Sequence, residues 1–476
     1  MILDATDWAV SEFEGTPGLS VQLQRRLIAT AAPLARQPTG ASLPQRFAWN
    51  ELKAAYRLVD RASAQPDHLQ AVHREQTRRR MLATNGPVLI IHDPTVLTYT
   101  DHAVADQLGP ITDSDARGVI QHNSLAVDPA GHELLGLIHQ QTFCRQLKPD
   151  GETRAQRYQR TDRESETWLT AVTAVGRMPD DACWIHVGDR AADFFGLMAT
   201  ARATNSHFLI RLVQDRAAIS PQDSQDKRTR DEYTLRLIAE ARRVAVTTTK
   251  ELEIGSRGGR PARVAKLSLG SVRLTIRPPQ AEPRWRNEAP LTVTVVRVWE
   301  ADPPAGAEAL EWILGTDFSD QSAESLVRSC EWYEWRWPTM EEYHQVPKTG
   351  LGIERLRFET KARLLAAIAL LSVVAVRVLG LRWCREGSPE EPAETLASEV
   401  ELGVLTALEP GTRVVTVREF VDAVARLGGY LGRRGDGPPG WGSIWRGYQR
   451  LADVVRGVEL AETIKPRKKP IPTRSG

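Results

Sequence analysis

The sequence is poor in cysteine, in long apolar runs and in net charge. Its four cysteines include no pair at the spacing of a metal site or a redox motif, so we expect reduced thiols in a cytosolic protein. The longest apolar run, residues 364–376, has thirteen residues, whereas a membrane span needs about 20. This run therefore predicts a buried helix. Asp4, Asp7, Glu12 and Glu14 disfavour a secretory signal at the start of the chain.

The charge balance excludes few partners but hides a bias towards arginine. Lys and Arg total 62 and Asp and Glu total 60, a net charge of +2, and only ten of the basic residues are lysine. Genomic base composition can account for part of this bias. Arginine is also the residue best suited to bind phosphate with two parallel hydrogen bonds, and a near-neutral protein can still carry a basic groove.

The 476 residues suffice for about three domains, and the hydrophobic pattern divides them accordingly. Residues 1–85 are helical in pattern, and 86–385 combine apolar strands with helices around a β-rich insertion at about 244–317. An acidic, proline-containing linker, roughly 386–398, precedes a helical segment at 399–476 that ends in a basic tail. We therefore expect a mixed α/β domain between two helical domains.

A helix expected from about Asp67 to Leu82 carries four arginines near its end: Arg74, Arg78, Arg79 and Arg80. Together with a modest excess of basic over acidic residues in 1–85, they are consistent with a small DNA-binding helical unit. A solvated helix face explains the four arginines equally well.

Two aspartates follow apolar strands in the central region. The run 88–91 leads into His92-Asp93, and the run 183–187 leads into Gly188-Asp189. Functional carboxylates in α/β sheets lie at the carboxyl ends of strands, and a later helix adds Glu341. Three carboxylates suit hard cations such as Mg²⁺ or Mn²⁺. On spacing alone, however, an aspartate after a strand is more often a cap or turn residue than a metal ligand.

The segment 331–350 sharpens this hypothesis. It contains Tyr333, Arg336, Glu341 and Lys348, which resemble the Tyr, Arg, Glu and Lys signature of the bacterial cut-and-paste transposases of the IS-four family, and most closely the transposon-five transposase. The distance from Glu341 to Lys348 is the expected one. Four residues instead of three separate Arg336 from Glu341, which is the one departure from the signature.

The resemblance extends in order along nearly the whole chain. Near the N-terminus, the family's DNA-binding domain is resembled by Trp8-Ala9 with Leu34-Ala35-Arg36. Its first-aspartate strand is resembled by His92-Asp93-Pro94-Thr95, and its second-aspartate motif by Asp189-Arg190-Ala191-Ala192-Asp193. Trp312 resembles its base-stacking tryptophan, and its dimerisation domain is resembled by Trp441-Gly442-Ser443-Ile444-Trp445. In the second-aspartate motif, Ala191 replaces a glutamate.

The resemblance implies an RNase H-like catalytic domain of the DDE type. Asp93, Asp189 and Glu341 would be the catalytic triad and would hold two Mg²⁺ or Mn²⁺ ions in each active site. The implied activity is cut-and-paste DNA transposition, in which the enzyme nicks a strand at an inverted transposon end, forms a hairpin and transfers the freed end to target DNA.

The same resemblance implies residues that bind DNA. Tyr333, Arg336 and Lys348 would contact phosphates around the transposon end, because cationic groups neutralise backbone charge. Trp312, which lies 21 residues before Tyr333, would hold a base flipped out of the duplex, because an aromatic ring offers a stacking platform.

The implied partners are double-stranded DNA, from the inverted ends and the target, and a second copy of the chain in a paired-end complex. No membrane partner is expected, and the implied location is the bacterial cytoplasm, in association with the nucleoid. A catalytically dead relative that only binds DNA or inhibits an active partner is the main rival. A stand-alone DDE nuclease without strand transfer is a second rival.

Several assignments stay open at the level of sequence. Glu342 could replace Glu341 as the ligand, since neighbours on a helix point about 100° apart, and Trp312 could belong to the core. Pro347 disfavours a regular helix directly before Lys348. His92, His186 and His344 lie beside the proposed ligands but are expected to pack or to form hydrogen bonds. The basic turn 257–263 is either a DNA-contacting hairpin or a solvated loop.

Overall fold

A computed structural model describes residues 4–36, 43–62, 65–111, 115–147, 149–223, 233–255, 263–408, 413–433 and 436–464. The chain forms two compact units. The first contains residues 1–70, 346–355 and 367–476, and the second contains 71–345 and 356–366. Both the loop at 37–42 and the basic tail lie outside the described residues, as does nearly all of the basic turn at 257–263.

The described residues include fifteen α-helices and twelve strands, joined by loops and by short 3₁₀ or π-helical turns. The helices are α1 (Ala5–Phe13), α2 (Val21–Arg36), α3 (Leu43–Arg46), α4 (Trp49–Ala62), α5 (Ala71–Ala83), α6 (Arg154–Gln159), α7 (Glu164–Val175), α8 (Phe195–Ala203), α9 (Leu237–Ala241), α10 (Ala323–Glu334), α11 (Arg336–Gln345), α12 (Lys361–Gly387), α13 (Glu399–Leu408), α14 (Val417–Leu427) and α15 (Trp441–Ile464). The strands are β1 (Pro87–Thr98), β2 (Gly109–Pro110), β3 (Arg117–Asp128), β4 (Glu133–Phe143), β5 (Cys183–Gly188), β6 (His207–Arg211), β7 (Ala217–Ile219), β8 (Leu235–Arg236), β9 (Thr248–Ile254), β10 (Arg263–Ile276), β11 (Leu291–Glu300) and β12 (Glu311–Thr316).

One mixed sheet organises the second unit. Its strand order is β2-β3-β1-β5-β6-β12-β11-β10-β7-β8, with β4 paired to β3 and β9 paired to β10. Strands β1, β5 and β6 are parallel, and their other neighbours are antiparallel. The expected mixed α/β fold with helical flanks is confirmed, and it is consistent with an RNase H-like fold. Strands β9 to β12 also confirm a β-rich stretch at about 244–317.

The core of this unit lies on the sheet faces. Helices α7 and α8 pack their apolar faces on β6 and β11, with Trp168, Phe195 and Phe208 among the buried side chains. A second cluster joins α5 to β1 and β4 through Met81, with Trp184 contributed by β5. Burying side chains of this size stabilises the fold by about 1.5–3 kcal/mol each.

Helix α5 belongs with the sheet and not with the helices that precede it. Arg74 donates to the carbonyl of Gln140, Arg80 to that of Leu135 and Arg78 to that of Val175. These arginines therefore bind strand β4 and the end of α7 within the protein. For these three residues, the two alternatives that the sequence offered, a DNA-contacting helix face and a solvated helix face, are therefore both wrong. Of the four, Arg79 is the exposed one, and it pairs with Glu75.

The first unit combines α1, α2 and α4 with the C-terminal helices. Helix α2 begins after Ser20, whose hydroxyl accepts from the amide of Leu23, and it continues through Pro33 to Arg36. Pro33 therefore lies inside the helix and does not end it. Helices α13, α14 and α15 confirm the helical pattern in the described part of 399–464 and share a core that includes Phe420 and Ile444.

The acidic segment 386–398 is packed and is not a free linker. Ala393 is fully buried, and its amide donates to the carbonyl of Val415, while the amide of Val417 donates to the carbonyl of Glu391. Because these backbone groups bond to the segment before α14, residues 386–398 are an integral part of the C-terminal core.

The apolar run 364–376 lies in α12, as expected for a buried helix. The helix has 27 residues and is long and apolar enough to cross a membrane, yet 83% of its most apolar window is buried inside the protein. Burial of this degree is typical of a core helix.

Candidate active site

The parallel pairing of β1 and β5 brings Asp93 and Asp189 to equivalent positions. Ile91 pairs with Val187, and each aspartate lies two residues further along its strand. Asp93 lies inside β1, which continues to Thr98 along β3, although the sequence predicted that the strand ends at this residue. The carboxyl end of β5 therefore exposes one side of β1, and the two aspartates lie at the same edge of the parallel strands.

Helix α11 packs against β1 and supplies Glu341. The helix starts at Arg336, directly after a break at Trp335, and contains Pro338 in its first turn, where proline is tolerated because the amide has no intrahelical partner. The extra residue between Arg336 and Glu341 therefore falls in the turn that restarts the helix.

Asp93 is the most strongly perturbed carboxyl group of the site. Burial raises its pKa to about 7, with Arg336 opposing this and Asp189 and Glu341 adding to it. The Arg336 guanidinium lies 3.5 Å from one carboxylate oxygen of Asp93. Asp189 and Glu341 both act on this pKa, so carboxylates from two other segments lie within electrostatic reach of Asp93.

Two hydrogen bonds that the sequence did not predict hold His344, which lies close to Asp93. Gln140 donates to the amide oxygen of Asn123 over 2.7 Å, and the Asn123 amide donates to Nε2 of His344 over 3.2 Å. Nε2 then accepts, which places the imidazole proton on Nδ1, and Nδ1 lies 3.7 Å from the second oxygen of Asp93. His344 follows Glu341 by three residues and shares its helix face. No local pattern marks Asn123 or Gln140.

The turn that carries Asp189 is held by another aspartate of the same motif. Asp189 accepts from the amide of Ala191 and so caps a short 3₁₀ turn. Asp193, which is 1% exposed, accepts from the amides of Val213 and Gln214 over 2.7 Å each and pairs with Arg216. The expected capping geometry of Asp189 is therefore present, and Asp193 anchors the turn to the end of β6.

Trp312, Tyr333 and Arg336 form an aromatic and cationic group beside these carboxylates. The rings of Trp312 and Tyr333 lie 6.0 Å apart, and the Arg336 guanidinium lies 6.0 Å from the Tyr333 ring. Burial raises the pKa of Tyr333, and Arg336, Arg211 and Asp189 also act on it. Trp312 is half-buried, whereas the adjacent Ile313 and Leu314 are fully buried. Its partial exposure favours a surface role over a core role.

Lys348 lies apart from α11 in a π-helical turn, Val346–Gly350. The proline at position 347 is buried in this turn, which agrees with the expectation that it interrupts the regular helix. This turn groups with the first unit, whereas Tyr333, Arg336 and Glu341 belong to the second. The role of Lys348 stays a prediction.

The chemistry of the three carboxylates fits hard divalent cations, because carboxylate oxygens are the ligands that Mg²⁺ and Mn²⁺ prefer. Among the described residues, no three His, Cys, Asp or Glu side chains are arranged to hold a metal ion as they stand. Arg336 supplies the positive charge next to Asp93 instead. Asp93, Asp189 and Glu341 would have to move closer together to coordinate a common ion.

Four buried histidines lie behind Asp93 in the sheet. His92 bonds to the hydroxyl of Ser124 at 2.8 Å and to Nδ1 of His186 at 2.9 Å. Burial lowers the pKa of His122 and of His186 to about 3 and that of His139 to about 4. The rings are therefore neutral near pH 7, and His92 and His186 pack and form hydrogen bonds as the sequence predicted.

We expect the protein to lose stability as the pH falls from about 6.5 to 4.5. The unfolded chain protonates histidine below about pH 6.5, whereas the folded state keeps these rings neutral, so the stabilisation is complete above that pH. Each of His122, His139 and His186 contributes a loss of at most about 1.4 kcal/mol per pH unit. Arg74 beside His139 and His344 beside His122 also oppose protonation.

Urea unfolding at a series of pH values measures this loss. His122→Leu removes one group that takes up a proton on unfolding, so the slope of the free energy of unfolding against pH should fall by at most about 1.4 kcal/mol per pH unit. The substitution breaks no hydrogen bond, because neither nitrogen of His122 has a hydrogen-bond partner among the described residues. An unchanged pH dependence in this variant would contradict the assignment of His122 as a buried neutral ring.

The C-terminal helices of the first unit match a known domain family. Their core joins α14 and α15 closely, and Gly428 contacts the backbone of Ser443 so tightly that no side chain fits there. Residues 372–466 match the family model for the transposase Tn5 dimerisation domain. The match covers about a fifth of the chain and supports a Tn5-like transposase.

This Tn5-type domain includes Trp441 to Trp445, the segment that the sequence analysis assigned to dimerisation. Trp441 and Trp445 pack on each other with ring centroids 5.3 Å apart, at the start of α15. The match supports a homodimer. The matched segment lies outside the residues that form the candidate active site. The assignment of the site residues therefore depends on their geometry and on the sequence resemblance.

Proposed function

We propose that this protein is a DDE transposase of the IS-four family that excises and reinserts DNA at inverted transposon ends. The observation that carries the proposal is the convergence of β5 and α11 on β1, which brings Asp189 and Glu341 to the neighbourhood of Asp93. Carboxylates gathered around a carboxyl group with a raised pKa are a frequent mark of a functional site. The Tn5-type dimerisation domain adds the means to pair two ends.

Asp93, Asp189 and Glu341 would hold two Mg²⁺ or Mn²⁺ ions. Such a pair supplies activation of the attacking oxygen and stabilisation of the leaving oxygen in phosphodiester chemistry. The salt bridge to Arg336 compensates the charge of the partly buried Asp93 carboxylate before the cation binds. His344, which is hydrogen-bonded to Asn123, lies 3.7 Å from the other carboxylate oxygen.

The neighbouring group would bind the transposon end. Arg336 is positioned to donate to a phosphate once its partner Asp93 is engaged elsewhere, and the hydroxyl of Tyr333 lies within reach of the same guanidinium. Trp312, half-buried beside Tyr333, offers a face on which an extruded base can stack. Lys348 would add a further phosphate contact.

Incubation of the protein with duplexes that carry the inverted repeats flanking its gene, in Mg²⁺ or Mn²⁺, tests the proposal. We expect nicked, hairpin and target-joined products, resolved on denaturing gels. Binding without any cleavage would support the catalytically dead rival. Nicked products without hairpins or joined products would support the stand-alone nuclease.

Replacement of Trp312 separates hairpin formation from nicking. We expect Trp312→Ala to make the first nick normally and to slow the hairpin step by about five- to 150-fold, which corresponds to the loss of a stacking contact of about 1–3 kcal/mol. Phenylalanine should restore part of the rate because it keeps an aromatic face. Single-turnover rates of the two steps provide the measurement.

Trp299 on β11 is the matched control, since it is also half-buried but pairs with Glu311 and not with Trp312 across the strands. Trp299→Ala should leave the ratio of hairpin to nicked product unchanged. If Trp312→Ala slows nicking and hairpin formation equally, the side chain has a structural role and does not hold a base.

A further inference from the structure

A large arginine-lined cavity opens in the second unit, away from Trp312 and Tyr333. Its volume is about 1230 Å³, and its wall contains the end of β4, the starts of α7 and α8, and the segment that follows β6. Seven arginines and five acidic residues line it.

Five of the seven arginines are neutralised within the protein. The paired arginines are Arg145, Arg160, Arg163, Arg216 and Arg236. The other two, Arg157 and Arg277, have no ion-pair partner in the part of the chain that the structure describes. Arg157 is exposed and Arg277 is half-buried, so both can accept an anion without a large loss of hydration.

The N-terminus of α8 adds to the positive potential, whereas Glu164 and Glu166 in the first turn of α7 offset that of α7. Phe194 precedes α8 and lines the cavity, and this helix has neither a side-chain cap nor an acidic residue in its first turn. The amides of a first turn carry about half a positive charge. They reinforce the two arginines as a site for anions.

The cavity is connected to the candidate active site through a short, rigid segment. Asp189 and Phe194 are five residues apart, and between them Asp193 is anchored to Gln214 and Arg216, which both line the cavity. A phosphate chain lying in the cavity would therefore run towards the carboxyl end of β5, where Asp189 is located.

We propose that this cavity binds the backbone phosphates of DNA without regard to sequence, with Arg157 and Arg277 as the principal contacts. This rests on the proposed function and adds to it a second DNA contact, separate from the group formed by Trp312, Tyr333 and Arg336. The site takes phosphodiesters because guanidinium groups match phosphate oxygens in geometry and charge. Sequence plays no part, because backbone contacts position DNA without reading its bases.

The salt dependence of DNA binding tests the proposal independently of catalysis. Fluorescence anisotropy with a labelled duplex that lacks transposon ends, in EDTA, gives the slope of log K against log salt. Each phosphate contact contributes about 0.9 to that slope. We expect the double variant Arg157→Ala, Arg277→Ala to lower the slope by about 2 and to weaken binding equally for unrelated sequences.

The control is Arg202→Ala. Arg202 is exposed in the last turn of α8, at the opposite end of the helix from the cavity, so the slope should stay at the wild-type value. The double variant Arg157→Lys, Arg277→Lys keeps both charges and should keep the slope, which also shows that loss in the alanine variant is not caused by misfolding.

Competition with inorganic pyrophosphate distinguishes the source of the phosphate. Pyrophosphate should displace the duplex only weakly, because it replaces few of the contacts. Equal slopes for the alanine double variant and the wild type would overturn the proposal. Loss of pyrophosphate binding with an unchanged DNA slope would also overturn it, by showing a site for free anions. Failure of end cleavage would leave these binding results unaffected.

Discussion

Replacing Asp189 by asparagine or Glu341 by glutamine is expected to abolish DNA cleavage and to leave DNA binding largely intact. Each change keeps the size of the side chain and removes one anionic ligand. The expected loss of cleavage rate is about a thousandfold or more, equivalent to about 4 kcal/mol of activation free energy. Single-turnover cleavage of an end-bearing duplex in Mg²⁺ measures the rate, and gel-shift titration measures binding.

Glu342→Gln is the matched control for the helix. Glu341 raises the pKa of Asp93, and this favours Glu341 as the third carboxylate. Its neighbour Glu342 then points about 100° away around α11, because successive residues of a helix are rotated by that angle. The Glu342→Gln variant should therefore cleave at close to the wild-type rate. An active Glu341→Gln protein together with an inactive Glu342→Gln protein would shift the register of the site by one residue.

Introducing charge on one face of α15 should prevent dimer formation. Val454 and Val458 are spaced four residues apart on this helix and are 38% and 39% exposed, within the segment that matches the Tn5-type dimerisation domain. We expect Val454→Glu, Val458→Glu to weaken self-association at least a hundredfold, because burial of each valine is worth about 1.5–3 kcal/mol and buried unpaired charge is costly. Analytical ultracentrifugation measures the change.

Arg456→Glu controls for the added charge, since this exposed residue lies about 200° around the helix from Val454. It should dimerise normally, and both proteins should bind a single end. A dimer that persists in the double valine variant would place the interface on another face of the C-terminal helices.

The strands and the two aspartates were predictable because their signals are local. The apolar runs 88–91 and 183–187 mark β1 and β5, and the pairing of parallel strands brings residues such as Asp93 and Asp189 to one edge. Strand β1 was predicted too short, because its second half contains Pro94 and pairs only with β3. Proline is compatible with a strand that has a free side.

The residues around Asp93 could not be predicted in the same way. Asn123 and Gln140 lie on neighbouring strands of the sheet, and only the register of β3 with β1 and β4 brings them to His344. The arginines of α5 show the same limit, because the sequence pattern of a basic helix face is the same whether its arginines bind DNA or backbone carbonyls of the protein. Arg157 and Arg277 are 120 residues apart in the sequence, and only the folded protein brings them to the wall of the same cavity.

Binding of Mn²⁺, followed by electron paramagnetic resonance, tests most directly whether the three carboxylates form a metal-dependent cleavage site. We expect the wild-type protein with an end-bearing duplex to remove the signal of free Mn²⁺ as ions bind. The triple variant Asp93→Asn, Asp189→Asn, Glu341→Gln should leave that signal close to its value with DNA alone. Equal binding of Mn²⁺ by the two proteins would contradict the assignment of Asp93, Asp189 and Glu341 as metal ligands.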